Sequence, residues 1–314
     1  MSAAAGFDRV ALVGIGLING SLARDMKRQG MAGEIVAASR RRETLDTALG
    51  LGLCDRATTD PAEAVRGADL VVIGTPVRAA GEVARAIAPG LSPEAVVTDV
   101  GSVKGAVVEA VLPELSHPGR FVAGHPVAGT EHSGPAAAIE HLFRHRWTIL
   151  TPTEASDEDA IATVRGLWET VGSRVEVMTP EHHDQVLAMT SHLPHLIAFS
   201  IVGTVDDLEG HLRQEVFKFA AGGFTDFTRI AASDPTMWRD VFLSNKDAVL
   251  EGLGRFTEDL IALQRQIRWD DGDALFDLFT KTRAIRRGIV EAGQAYGRRA
   301  VIDDEPAVKD QTAP

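Results

Sequence analysis

Residues 10–23 read VALVGIGLINGSLA. An apolar run leads into Gly14 and Gly16, and helical spacing follows from 17 to 29. The succession strand, glycine turn, helix is the start of a dinucleotide-binding unit, patterned G-x-G-x-x-G. The first glycine permits a tight turn, and the second lets the backbone approach a pyrophosphate at a helix N-terminus, where free N–H groups and the dipole favour anions. Gly14 and Gly16 fit, with Leu17 and Ile18 opening the helix. The third position holds Asn19, with Gly20 one place late. The expectation is that Asn19 moves the helix slightly outward or that Gly20 relieves the crowding. Alone, the stretch also fits a plain βα turn, so the reading depends on its surroundings.

Those surroundings repeat the same alternation. Apolar runs RVALVG (9–14), EIVAAS (34–39), DLVVIG (69–74), AVVTDV (95–100) and RFVAG (120–124) are apolar on both faces, as strands of a covered parallel sheet are. Helical spacing fills 17–29, 42–52, 61–66, 78–89 and 103–115. WTILTP (147–152) and RVEVMT (174–179) are later strands flanking a helix at 157–172. From Pro180 onward strand signals vanish, and 180–210, 211–221, 235–267 and 271–296 read as helices. Ser233-Asp234-Pro235 marks one helix start, with an N-cap and a proline in the first turn. The expected fold is therefore α/β. A Rossmann-type, doubly wound, mainly parallel sheet occupies 1–179, an all-α domain 180–296, and a polar, flexible tail 297–314.

The 314 residues carry a formal net charge of −12, which argues against general binding to nucleic acid or to an anionic membrane. One cysteine, Cys54, excludes an internal disulfide framework and suits a reducing compartment. The N-terminus shows no signal-peptide pattern, and no run of about 18 apolar residues is read as a membrane span. The expected location is cytoplasmic.

The end of the second strand reads the cofactor's ribose, and an acid there binds the 2′-hydroxyl of NAD. Here it reads Ser39-Arg40-Arg41-Arg42, with no acid before Glu43. Serine and arginines suit a 2′-phosphate, which favours NADP over NAD without excluding NAD. Further polar motifs end the predicted strands: GTPV (74–77), with Thr75 and Pro76 beside the cofactor, DVGSVK (99–104) and GHPVAGTEHSG (124–134). A second group, TSHLPHLIAFS (190–200) and GGFTDFTRIAASDPTMW (222–238), lies in the helical half.

DVGSVK, HPVAGTEHSGP, AMTSHLPH and FTRIAASDPTMWRD, in this order, resemble the prephenate and arogenate dehydrogenases of tyrosine biosynthesis, over residues 8 to 290. The resemblance implies NAD(P)-dependent oxidation of a cyclohexadienol, with hydride passing to the nicotinamide and the ring carboxylate leaving as carbon dioxide. It makes His125 the catalytic histidine, a group suited to take the hydroxyl proton near neutral pH; the bland alternative is a loop histidine. Arg229 matches the arginine that anchors a substrate carboxylate, or it is a structural arginine paired with Asp226 or Asp234. Ser102 matches a serine near the substrate hydroxyl and the nicotinamide, or it caps a helix starting at Val103. Thr130 and Glu131 match residues at the site entrance, and Ser191 and His195 substrate contacts. His192 is read as a packed histidine behind them. A metal site using His182, His183, His192 and His195 is conceivable, but no metal is expected.

Asp206 and Asp207 are candidates for meeting an arogenate ammonium. A rival reading is a β-hydroxyacid dehydrogenase with a catalytic lysine, for which Lys218 and Lys246 are available; another is a non-catalytic NADP-binding sensor. Val241, Phe242, Val249, Leu250, Leu253, Phe256, Leu260 and Leu263 exceed what one small domain covers. Together with the resemblance, they imply a homodimer through the helical half.

Overall fold

A computed structural model describes residues 6–291; the expected tail and the last residues of the expected helix 271–296 lie outside them. Among the described residues, eight strands form one sheet in the order β3-β2-β1-β4-β5-β6-β7-β8. They are β1 (Phe7–Val13), β2 (Ala32–Ala38), β3 (Arg56–Thr58), β4 (Leu70–Ile73), β5 (Val96–Asp99), β6 (Phe121–Pro126), β7 (Trp147–Thr151) and β8 (Arg174–Val177). The first six run parallel, β7 pairs antiparallel with β6, and β8 runs parallel with β7. Helices α1 (Leu17–Gln29), α2 (Arg42–Gly50), α3 (Pro61–Val65), α4 (Ala80–Ile87), α5 (Lys104–Val111) and α6 (Glu158–Thr170) connect the strands.

Alternation along each strand divides the core between the two faces. On β1, Val10 and Leu12 pack with Leu22, Met26 and Trp168 on one face. Ala11 and Val13 pack with Ala84, Val107 and Phe121 on the other. The order 3-2-1-4-5-6 reverses direction between β1 and β4, and the crevice outside the carboxyl ends of those strands is where such sheets bind ligands.

The remaining helices are α7 (Pro180–Leu187), α8 (Leu193–Asp206), α9 (Gly210–Lys218), α10 (Gly222–Thr228), α11 (Pro235–Ser244), α12 (Lys246–Arg268) and α13 (Gly272–Glu291). A π-turn, Ala188–His192, joins α7 to α8. Pro194, in the first turn of α8, supplies no N–H, which accounts for local widening of the helix here.

Two expectations are corrected. Strand β3 and helix α10 were not expected as elements. The expected single helix 235–267 breaks at Asn245, whose amide bonds the Asp184 carbonyl at 2.8 Å and His192 Nδ1 at 3.1 Å. By compactness the chain falls into two units that meet at Gly252 and Leu253, within α12. Trp238 and Val241 of α11 belong to the core on one face of the sheet, so α11 packs as part of the first unit. By length and composition alone, Pro180–Asp206 would pass for a membrane-crossing helix. His183, Asp184 and His192 on it are nonetheless buried inside the first unit.

Candidate active site

The glycine turn comes first. Gly14 has φ 91°, and a Cβ there would lie 2.7 Å from the Gly74 carbonyl group at the end of β4. Only glycine lets β1 and β4 close at this point. Gly16 is the N-cap of α1, without a side-chain cap, and a Cβ on it would meet nothing within 4 Å. The 13-residue α1 has no acid in its first turn. Uncapped N–H groups facing open space are what a pyrophosphate fills, so the turn fits a dinucleotide.

Asn19 does not push α1 outward. It is buried, and its Nδ2 donates to the carbonyls of Gly14 at 3.0 Å and Val72 at 3.1 Å. The room for it comes from Gly74, where a Cβ would overlap the amide. Asn19 thus replaces a packing glycine with a tie between α1, β1 and β4. Gly20 admits Ala138 instead, whose Cβ would lie 3.0 Å from a Cβ at 20.

Around this turn the predicted motifs converge. Thr75 lies against Gly14, Leu17 beside Gly129, and Val77 near Gly101, so the GTPV, HPVAGT and DVGS segments meet at the carboxyl ends of the strands. At the end of β2, Ser39 is half-buried and its Oγ accepts the Arg41 N–H at 3.4 Å. Arg40 and Arg41 are exposed. Arg42 pairs with Asp46 at 3.4 Å. A cleft of about 380 Å³ opens beside them, lined by Arg41, Thr44, Thr47, Ser133 and Gly134 among others.

The reaction side is built from buried polar groups. His125 is on β6, not in the loop after it, and is 8% exposed. Its Nδ1 lies 2.8 Å from His183 Nε2, and His183 Nδ1 lies 2.7 Å from Asp184 Oδ1. The Asp184 carboxylate also accepts the N–H groups of Lys104 at 2.7 Å and Gly105 at 2.9 Å. It therefore caps α5 from a distant helix. That corrects the reading of Ser102 as cap: α5 begins at Lys104, and Val103 at the N-cap position makes no side-chain bond. Lys104, wholly buried, donates to the Asp99 carboxylate and to the Gly124 carbonyl at 2.7 Å. Asp99 in turn accepts N–H groups from Gly101 at 2.7 Å and Gly124 at 3.1 Å.

Burial pushes His125 well below the ordinary histidine range, and His183, Lys104 and His192 push the same way. Burial likewise lowers His183, against the pull of Asp184. His192, fully buried, falls to about 4 for the same reason, with Asp184 opposing.

His195 donates from Nδ1 to the Ser191 carbonyl at 2.9 Å, taking that nitrogen as the protonated one, and stacks on Trp238 with centroids 3.7 Å apart. Burial lowers its proton affinity, and the charge of Arg229 acts in the same direction. Arg229 pairs with Glu131 at 2.6 Å, a partner that was not among the alternatives offered for it. Asp234 caps α11 through the N–H groups of Thr236 and Met237. Its own amide and Arg229 hold Glu131 below the usual carboxylate range. Thr130 is exposed, and its Oγ1 accepts the His132 N–H at 3.2 Å. Asp206 pairs with Arg213 at the surface, Asp207 is exposed at the end of α8, and Lys218 and Lys246 are exposed.

His183 and Asp184 were missed as a working pair. EHHDQ reads as a polar helix start, but Leu187 and Ala188 mark an inward face one turn on, and His183 and Asp184 precede them at i−4. Among the described residues, no group of three or more histidines, cysteines or acids is arranged to hold a metal.

This geometry has close relatives. A family model described as "Prephenate dehydrogenase, nucleotide-binding domain" matches residues 22–177, and one described as "Prephenate dehydrogenase, dimerization domain" matches residues 179–281. The chain belongs to the prephenate dehydrogenase family. It is 40% identical over 280 residues to the cyclohexadienyl dehydrogenase of Zymomonas mobilis, covering 89% of this chain and 95% of that one. Its fold matches the prephenate dehydrogenase of Aquifex aeolicus, solved with hydroxyphenyl propionate and NAD+, with a TM-score of 0.84 and 38% identity over 92% of this chain and 100% of that one. The arogenate dehydrogenase of Synechocystis matches with a TM-score of 0.73 and 31% identity, over 89% and 99% of the two chains. Family membership makes this chain an oxidoreductase that uses a nicotinamide cofactor.

Proposed function

We propose that the chain oxidises and decarboxylates prephenate to 4-hydroxyphenylpyruvate, arogenate to tyrosine, or both, as a step of tyrosine biosynthesis. The observation that carries this reading is His125. It stands at the carboxyl end of β6, buried, with one ring nitrogen held by His183. In this role it accepts the substrate's hydroxyl proton as the ring gives up a hydride. When bound, the nicotinamide supplies the acceptor for that hydride. Loss of the ring carboxylate as carbon dioxide then leaves an aromatic ring.

Arg229 serves as the anchor for a substrate carboxylate, which displaces Glu131 from the guanidinium; exchange of one carboxylate for another keeps the charge paired. Ser102, freed from capping, is available to the substrate hydroxyl. Ser191, His195 and Thr130 complete the substrate side. Gly14, Gly16, Leu17, Ile18, Thr75 and Pro76 hold the cofactor. Ser39, Arg40 and Arg41 favour NADP, a reading supported by the exposure of both arginines and by Arg41 lining the cleft.

A functional division into 1–179 and 180–296 follows the junction of the two family models. The expected homodimer is supported by the exposed apolar side chains of α12 and α13, among them Leu250, Leu260, Phe276, Phe279 and Ile285. A cytoplasmic location is in keeping with a single buried cysteine.

The test is absorbance at 340 nm with prephenate and then arogenate, each with NAD+ and NADP+. Reduction with either substrate supports the reading. Cofactor binding without reduction leaves a sensor, and reduction with a β-hydroxyacid alone leaves the rival enzyme.

A further inference from the structure

We infer that His183 and Asp184 form a proton-holding chain behind His125, which fixes the tautomer of His125 and takes up the charge that arises when it accepts the substrate's proton. The inference rests on the reading of His125 as the base.

The chain of assignments starts from Asp184. Its carboxylate accepts two backbone N–H groups at the N-terminus of α5, where the helix dipole favours negative charge. Backbone N–H groups can only donate, so each of the two carboxylate oxygens acts as an acceptor here. An ionised carboxylate only accepts hydrogen bonds, so the proton in the contact with His183 sits on His183 Nδ1. A neutral His183 then presents a bare Nε2. Facing it at 2.8 Å, His125 Nδ1 must carry its own proton. The bare nitrogen of His125 is therefore Nε2, the atom that can accept a proton. One carboxylate sets both rings.

The same chain handles the charge. When the substrate O–H bond breaks and an N–H bond forms at His125 Nε2, the ring becomes a cation. Its Nδ1–H bond can then break as an N–H bond forms at His183 Nε2. His125 returns to neutrality, and the cation lies next to the Asp184 carboxylate. Without that carboxylate the new charge would face His183 on α7, His192 on the π-turn and Lys104 on α5, all lowering its stability. Asp99 on β5 is already engaged by Lys104. Asp184 is thus the counter-charge left for His125. Asn245 steadies it by donating to the Asp184 carbonyl. His183 and Asp184 are positioning residues, since the substrate's proton reaches them only through His125.

The first test uses the native protein without cofactor. Nitrogen-15 spectra of histidine-labelled enzyme report which ring nitrogen is protonated, and His125→Asn assigns the signals. The expected state is His125 protonated at Nδ1 and bare at Nε2; the opposite tautomer overturns the inference. The second test compares His183→Leu with His183→Gln. Both leave the α5 cap intact, and glutamine retains a donor for Asp184 and an acceptor for His125. His183→Leu should lower kcat about a hundredfold, move the acid limb of kcat/KM to lower pH by about one unit, and leave cofactor affinity unchanged. His183→Gln should restore part of the rate. A His183→Leu enzyme with native kcat and pH profile, beside an inactive His125→Asn enzyme, sinks the chain alone. So does a loss of rate with no movement of the acid limb. Turnover in His125→Asn instead removes the base itself, and the inference with it.

Discussion

Two neighbouring strand pairs end at the same edge of the sheet, and they are built in opposite ways. At β1 and β4 the edge is made by backbone: Gly14 against Gly74, the open N-terminus of α1, and one neutral side chain, Asn19, tying the turn together. At β5 and β6 it is made by buried ions and imidazoles: Asp99 with Lys104, and Asp184 through His183 to His125. The first arrangement offers donors to an anion that brings its own charge. The second holds charge where water is excluded, and each buried charge there needs a partner. A surface that binds tolerates exposure, whereas a site that moves protons is built from groups whose proton affinities the fold has shifted.

Breaking the buried side should have the largest effect. Lys104→Met keeps the volume and removes the charge, leaving Asp99 buried with only its two N–H donors. Loss of one partner of such a pair costs about 3–5 kcal/mol, read as a fall in the guanidinium midpoint. Next comes His192. Its folded value is about 4 against an ordinary 6.5, so between these pH values the unfolded chain binds a proton that the folded chain does not. Stability therefore falls as pH drops from 6.5 towards 4, by about 3 kcal/mol from this residue. His192→Asn should flatten that part of the stability curve relative to the native chain. An unchanged slope would remove His192 as its cause.

On the backbone side the two glycines should separate. Gly14→Ala places a methyl group against the Gly74 carbonyl in a left-handed conformation and should cost about 1–3 kcal/mol in stability. Gly16→Ala meets open space, so it should leave the melting temperature alone and weaken the cofactor. Equal losses of stability in the two variants would erase the distinction.

The same contrast governs what the sequence disclosed. The sheet was legible because buried parallel strands are apolar on both faces, and RVALVG, DLVVIG and AVVTDV carry that signal without help from distant residues. Strand β3 was not, because three residues, Arg56–Thr58, are too few to show a period. His125, Arg229 and Glu131 were marked by motifs, but the contact between Glu131 and Arg229 spans 98 residues and no local pattern encodes it. The break at Asn245 has no proline or glycine to announce it; it follows from bonds to residues 184 and 192. Asp184 is the same case, since its meaning lies in an α5 cap 79 and 80 positions away.

The smallest effect is expected where the backbone side meets solvent. Arg41 is exposed at the N-cap of α2, so its charge acts on a ligand through water. Exposed pairs contribute about 0.2–1 kcal/mol, and a hydrogen-bonded phosphate more, about 1.5–3 kcal/mol. If Arg41 meets a 2′-phosphate, Arg41→Ala should raise KM for NADP+ about tenfold, near 1.4 kcal/mol, and leave KM for NAD+ and the melting temperature unchanged. Added salt should narrow the difference, because a contact at the surface is screened. A parallel rise in KM for both cofactors would assign Arg41 to the shared part of the dinucleotide, and no rise would leave the 2′-position to Ser39 and Arg40. The His125 side should not respond to this substitution, so kcat with saturating NAD+ is the control that keeps the two regions separate.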